Sequence, residues 1–217
     1  MEAKELKKKT KELKKEWKTE LKAHKNLILL SFIFLAISLI LEYIAGQYVD
    51  KYGTANVSDL ILDHIPTIDL SVLFVCGYTL VIVVLLLYPF LFNVKKFHIV
   101  ISQFSLLILI RSFFMSLTHL KAPADAIIPK LPYIYNLLVF NNDLFFSAHT
   151  AIPFLGFLLF RKQKIGIFFL IASFVLAATV LFMHVHYSID VFAAFCITFC
   201  SYKLGSWFFR KVDNEEF

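Results

Sequence analysis

Two short stretches of this chain hold residue types that move protons and phosphoryl groups. In MHVHYSIDVF, His186 and Asp190 stand four apart, so on a helix they share one face and can share a hydrogen bond. A carboxylate bound to one ring nitrogen sets the imidazole tautomer and leaves the other nitrogen nucleophilic. In NNDLFFSAHT, His149 opens an apolar run beside Ser147 and Thr150. A helix starting there offers free amides and the positive end of its dipole to a phosphate. Arg111, deep in another apolar run, adds a charge that is never deprotonated and a planar fork that matches phosphate oxygens.

These groups stand out because the rest of the chain is so apolar. Of 217 residues, 59% are hydrophobic and 25 are Phe, and the mean hydropathy is +0.73, beyond the range of soluble domains. Six segments are long enough to cross a hydrocarbon core of about 30 Å: residues 27–46, 70–92, 97–117, 147–160, 165–183 and 188–209. The fourth is short and is expected to reach back toward Leu144. In lipid each backbone amide must be satisfied within its own segment, so helices are predicted despite the many Phe, Ile and Val residues. The expected fold is an all-α membrane protein, a six-transmembrane-helix bundle. Residues 1–26 form a charged helix, 27–210 the membrane domain and 211–217 a tail. The first span begins too late, behind too long a charged arm, to read as a cleaved signal peptide.

Basic residues are retained on the cytoplasmic side. Ten Lys precede Asn26; Lys95 and Lys96, then Arg161, Lys162 and Lys164, then Lys203, Arg210 and Lys211 follow at alternate connections and the C-terminal end. The opposite connections hold Lys51, Lys121 and Lys130. Both termini are therefore expected in the cytoplasm, and Asp143, His149, His184, His186 and Asp190 together at the exterior or lumenal face. The net charge of +6 lies mostly in the N-terminal arm, so it is no sign of nucleic-acid binding. That arm spaces Leu6, Thr10, Leu13, Trp17 and Leu21 as one narrow helical stripe. Two readings stand side by side: an interfacial or homo-oligomerising helix drawn to anionic lipid, and a solvated helix that enforces topology. Cys76, Cys196 and Cys200 lie in apolar runs without metal-type spacing and do not identify a redox compartment.

At these residues the chain resembles the sphingomyelin synthases and related lipid phosphotransferases, a branch of the type-2 phosphatidic acid phosphatase superfamily. That family carries Cys-Gly-Asp-x-x-x-Ser-Gly-His-Thr and, one hairpin later, His-Tyr-Ser/Thr-x-Asp-Val. Asp143, Ser147, His149 and Thr150 match the first pattern; His186, Tyr187, Ser188, Asp190 and Val191 match the second. RSFFMSLTHLKAPADAIIP, opening at Arg111, is similar to the family's Arg-containing element, and the resemblance covers roughly Arg111 to Phe195. Asn141 and Asn142 stand where the family has Cys-Gly, Ala148 where it has Gly, and the Lys-x6-Arg-Pro of the phosphatase branch is absent.

The resemblance implies a catalytic set of His186 as nucleophile, Asp190 as its orienter and His149 as acid and then base. Arg111, Ser147, Asp143 and Tyr187 would bind the substrate phosphate, with no cofactor and no metal. The partners implied are membrane lipids, a phospholipid donor and a ceramide or diacylglycerol acceptor. A lipid phosphatase or phospholipase C-type hydrolase would use the same site, and a bundle that holds an anionic lipid without turnover is the rival from another class. His24, His64, His98 and His119 read as satisfied polar residues near the interface. Glu42, beside Tyr43 and Tyr48, reads as an interfacial anchor. His184 reads as a supporting residue or as a metal ligand together with His186, Asp190 and His149. The Phe-rich stretches read as lipid-facing surface and core packing.

Overall fold

The structure, a computed structural model, describes residues 15–129, 140 and 142–213. Leu6, Thr10 and Leu13 of the expected N-terminal stripe, with Lys130 and Asn141, lie outside the described residues. The chain is a multi-pass membrane protein of all-helical build. In chain order the helices are α1 (Lys25–Tyr52), α2 (Leu73–Phe92), α3 (Val94–Ser116), α4 (Ala148–Phe160), α5 (Ile165–Phe182) and α6 (Ser188–Asp213). All but α4 are long and apolar enough to cross a membrane.

The interior is organised on α3 and α4. α3 buries most of its length, packing against α1, α2 and α6. α1 buries little and leans chiefly on α3. α4 has 13 residues, eight of them buried, and packs against α5 and α6. At about 1.5 Å per residue it is near 20 Å long, short of a full core. Because protein surrounds it, the non-helical backbone leading into it meets protein partners where a lipid-exposed helix end would find none. Leu107, Ile152, Leu155, Phe169 and Leu176 form the centre of the core shared by these helices.

Boundaries differ from the sequence expectation most at α1 and α4, while α3 starts three residues early at Val94 and α6 runs on to Asp213, past the expected end of the membrane domain. α1 continues past Gly46 to Tyr52, closing with the Gly53 amide on the Val49 carbonyl at 2.8 Å. Gly46 is kept for a packing reason, since a Cβ there would run into the Phe140 ring. α4 does not reach back toward Leu144 but starts at Ala148. Phe145 has φ of 91°, a conformation that L-residues rarely adopt, and the amides of Phe145 and Ser147 are bonded to Asp190 rather than to a preceding helical turn.

Residues 15–23 are helical and turn at His24 into α1. Trp17 donates its indole N–H to the Phe90 carbonyl at 2.8 Å, and Glu20 meets Lys95 at 3.5 Å. At the opposite end of the bundle the connections are stitched together. Ala55 bridges Leu120, Ile68 N–H bonds to the Phe182 carbonyl and Ile127 N–H to that of Met183. Asp59 Oδ1 accepts the Ile61 and Leu62 amides, while its Oδ2 accepts both the amide and hydroxyl of Ser188 at 2.8 Å. The first residue of α6 is thereby tied to the loop after α1.

Close helix approach depends on Gly156, where a Cβ would lie 2.5 Å from the Phe169 ring. Gly156→Ala is expected to force α4 from α5 and cost about 1–3 kcal/mol, the usual range for overpacking. The thermal midpoint in detergent measures it, and adding Phe169→Leu should recover part of the loss.

Candidate functional site

Asp190 is the third residue of α6 and has no solvent exposure. Its Oδ2 accepts the Tyr187 amide at 3.0 Å, the reach of a third-position carboxylate back to the residue capping the helix. The same oxygen faces His186 Nδ1 at 3.2 Å. His186 itself precedes α6, so this pair is not one helical turn as its spacing predicts. The carboxylate at the helix start reaches back around the turn, favoured there by the N-terminal dipole. An Nδ1–H donated to Asp190 leaves the Nε2 lone pair free on an imidazole that lines the cavity.

Asp190 also holds the second motif. Its Oδ1 accepts the Phe145 amide at 3.2 Å, and its main-chain carbonyl accepts the Ser147 amide at 3.2 Å. The backbone entering α4, which carries His149 as its second residue, is thus bound to the residue that orients His186. His149 stacks on Phe74 at 3.8 Å and on Tyr78 at 4.0 Å between ring centroids. Both rings come from α2 where a π-helical turn, Leu73–Gly77, gives way to regular helix. Such turns widen a helix locally and are frequent at functional sites.

His149, His186, Arg111 and Asp143 line one cavity of about 560 Å³, with Ala148 on its wall at the α4 N-terminus. Arg111 is buried and forms ion pairs through Nη1 with Glu42 and through Nη2 with Asp143. Among the described residues its Nε has no partner. Glu42 Oε2 also accepts the Ser112 hydroxyl at 2.5 Å. Glu42 is therefore not an interfacial anchor: its carboxylate is buried and neutralised by Arg111. The available signal was that a carboxylate inside a span needs a cation at similar depth. Phe74 and Tyr78, in contrast, gave no signal, because an aromatic ring holding a histidine reads like any other in an apolar run.

The other expected site residues are placed differently. Ser147 caps α4 in position, yet its hydroxyl is buried without a partner among the described residues and does not line the cavity. Tyr187 also lies off the cavity, its hydroxyl donating to the Lys121 carbonyl at 2.9 Å and accepting the Val57 amide at 3.1 Å. Asn142 joins loops, its side-chain oxygen accepting the Ala122 amide and its own amide bonding to Asp50. His184, at φ of 53°, pairs through Nδ1 with Asp125 at 2.8 Å, and Thr67 donates to the same carboxylate oxygen at 2.9 Å. Among the described residues no three His, Cys, Asp or Glu side chains are grouped to hold a metal ion.

No protein-family model matches this chain, and neither a curated protein nor a solved structure matches it.

Two predictions follow from the charged pairs. Glu42→Ala leaves Arg111 with Asp143 as counter-ion but strips Nη1 and the Ser112 hydroxyl of the acceptor they share, and should cost about 1–3 kcal/mol, the usual loss when buried donors are left unsatisfied. The triple change Glu42→Met, Arg111→Met and Asp143→Asn, which removes all three charges together, should recover most of that loss in thermal midpoint. The second concerns acid. Burial raises the Asp125 carboxyl, but the Thr67 hydroxyl, its own backbone N–H and His184 outweigh burial and hold it below the ordinary range. Asp59 is lowered likewise, burial being outweighed by the Leu62 amide, the Ser188 hydroxyl and amide, and the Ile61 amide. Carboxylates lowered in the folded state add stability above about pH 4 and lose it as pH falls through their folded pKa. Thermal midpoints should fall over that acid window in the wild type. They should fall less steeply in Asp125→Asn and Asp59→Asn, each of which starts lower at pH 7.

Proposed function

We propose that this chain is a lipid head-group phosphotransferase, similar to sphingomyelin and ceramide phosphoethanolamine synthases, working through a phosphohistidine. The observation that carries this reading is the pair of imidazoles on one cavity wall, one oriented by a buried carboxylate, beside a buried arginine.

In the first half-reaction His186 Nε2 attacks the phosphorus of a phospholipid head group. The P–N bond forms as the bond from phosphorus to the glycerol oxygen breaks, and His149 gives that oxygen its proton, releasing diacylglycerol. Asp190 stabilises the imidazolium through Nδ1–H. In the second half-reaction His149 takes the proton from a ceramide or diacylglycerol hydroxyl, whose oxygen attacks phosphorus and frees His186. Glu42 keeps Nη1 of Arg111 in place, while a phosphate oxygen exchanges with Asp143 at Nη2. The α4 N-terminus supplies further positive potential. Water in place of the lipid hydroxyl would make the same site a lipid phosphatase or phospholipase C-type hydrolase.

The membrane arrangement belongs to the same proposal. α4 serves as a short sixth span, the termini and the helix over residues 15–23 lie in the cytoplasm, and the site opens at the exterior or lumenal face. The distribution of Lys and Arg supports this orientation.

Purified protein in vesicles containing head-group-labelled phospholipid, with and without ceramide, tests the reading. Labelled sphingolipid formed only with ceramide supports the synthase. Free phospho-alcohol or phosphate makes the protein a hydrolase, and unchanged lipid in every mixture overturns both. His186→Asn should abolish turnover, and His149→Asn should lower it about 10²–10⁴-fold. Activity should persist in chelator.

A further inference from the structure

The cavity is two-sided in character. Its charged and imidazole groups, Glu42, Arg111, Asp143, His149 and His186, gather at one end, where α4 and the connections add apolar side chains, and the remainder is walled by apolar side chains from α1, α2 and α3. Those walls follow helical stripes. α3 contributes Phe104 and Ile108 below Arg111, α2 contributes Thr79, Ile82 and Val83 below the rings that stack on His149, and α1 contributes Leu39 below Glu42. From Phe74 to Val83 is nine residues, about 14 Å of helix rise and close to half of a 30 Å hydrocarbon core. Val83 lines the cavity and shares a helical face with Leu80 and Leu87, which are exposed and off the cavity, so the apolar end reaches the bilayer. α1 has α3 as its main packing partner, which leaves α1 and α2 as the two jambs of this opening with α3 as its floor.

We infer that this is a slot between α1 and α2 that receives one acyl chain of a membrane lipid, laid parallel to the leaflet's own chains with its phosphate at Arg111. The inference rests on the phosphotransferase reading for the identity of the head-group site and adds which surface the lipid crosses and what holds its chain. The join of a polar end to an apolar shaft selects the occupant. The polar end holds two imidazoles and Arg111 with its carboxylates Glu42 and Asp143, so a phosphate binds there by taking the place of Asp143 on Nη2, and the shaft of one-leaflet depth that opens onto lipid takes a hydrocarbon chain. A water-soluble phosphate ester has nothing to place in the shaft, and a neutral apolar molecule has nothing to place at Arg111.

A binding readout separates this inference from turnover. Vesicles carrying a phosphatidylcholine with a mid-chain diazirine are irradiated with the wild-type protein and with His186→Asn, and labelled residues are mapped by mass spectrometry. Label should concentrate on Leu39, Thr79, Val83 and Phe104 in both proteins. Val83→Trp, which sets an indole across the opening, should reduce it about tenfold or more, the scale of a changed pocket fit. Leu87→Trp, one turn farther along α2 at an exposed position off the cavity, should leave it unchanged. Label spread evenly over exposed residues such as Leu87, or indifferent to Val83→Trp, overturns the slot even in an active enzyme. Concentrated label in a protein that turns over no lipid sustains the slot and removes the phosphotransferase reading.

Discussion

The site hangs on one buried carboxylate. Asp190 receives the Tyr187 and Phe145 amides, faces His186 Nδ1, and through its own carbonyl receives the Ser147 amide. A carboxylate removed from water is costly unless its lone pairs are filled, and here they are filled by groups from two separate connections. The consequence is geometric: the backbone that begins α4 and the backbone that begins α6 meet at one residue. His149 and His186, 37 positions apart in sequence, therefore open onto the same cavity. Phe145, in its unfavourable φ, is where the chain accommodates this arrangement.

A second constraint works at the same depth. Arg111 brings a permanent charge into the apolar interior, and Glu42 from α1 and Asp143 from the loop before α4 answer it. Two carboxylates on one guanidinium leave the trio with surplus negative charge, so the pairing with Asp143 is the one a phosphate would have to displace. Glu42, further tied to Ser112, is the fixed member. It also gives the lightly packed α1 a polar attachment to α3 in addition to apolar contact, which sets the position of one wall of the cavity.

Much of this was legible in the residues. Apolar run lengths predicted the five helices long enough to cross a membrane and the shorter apolar α4, because in lipid there is no alternative way to satisfy the backbone. The costliness of ionisable groups in such runs singled out Arg111, His149 and Asp190, and the spacing of His186 and Asp190 pointed to their contact. The boundaries of α1 and α4 were less legible. Gly46 looked like an end but accommodates the Phe140 ring, and the run from Leu144 looked helical but gives its amides to Asp190. In both cases a partner remote in sequence overrode the local pattern.

Sequence by itself determined that the chain lives in a bilayer as helices and which few polar residues must find partners there, since both follow from the energy of exposing polar groups to hydrocarbon. Only the tertiary structure decided who those partners are. Glu42 became the counter-ion of Arg111, Phe74 and Tyr78 became the stacking surface of His149, and Tyr187 and Ser147 were drawn off the cavity. Each depends on which helix faces which and at what depth, and one chain's residue spacing carries no record of that when the packing surfaces are uniformly apolar.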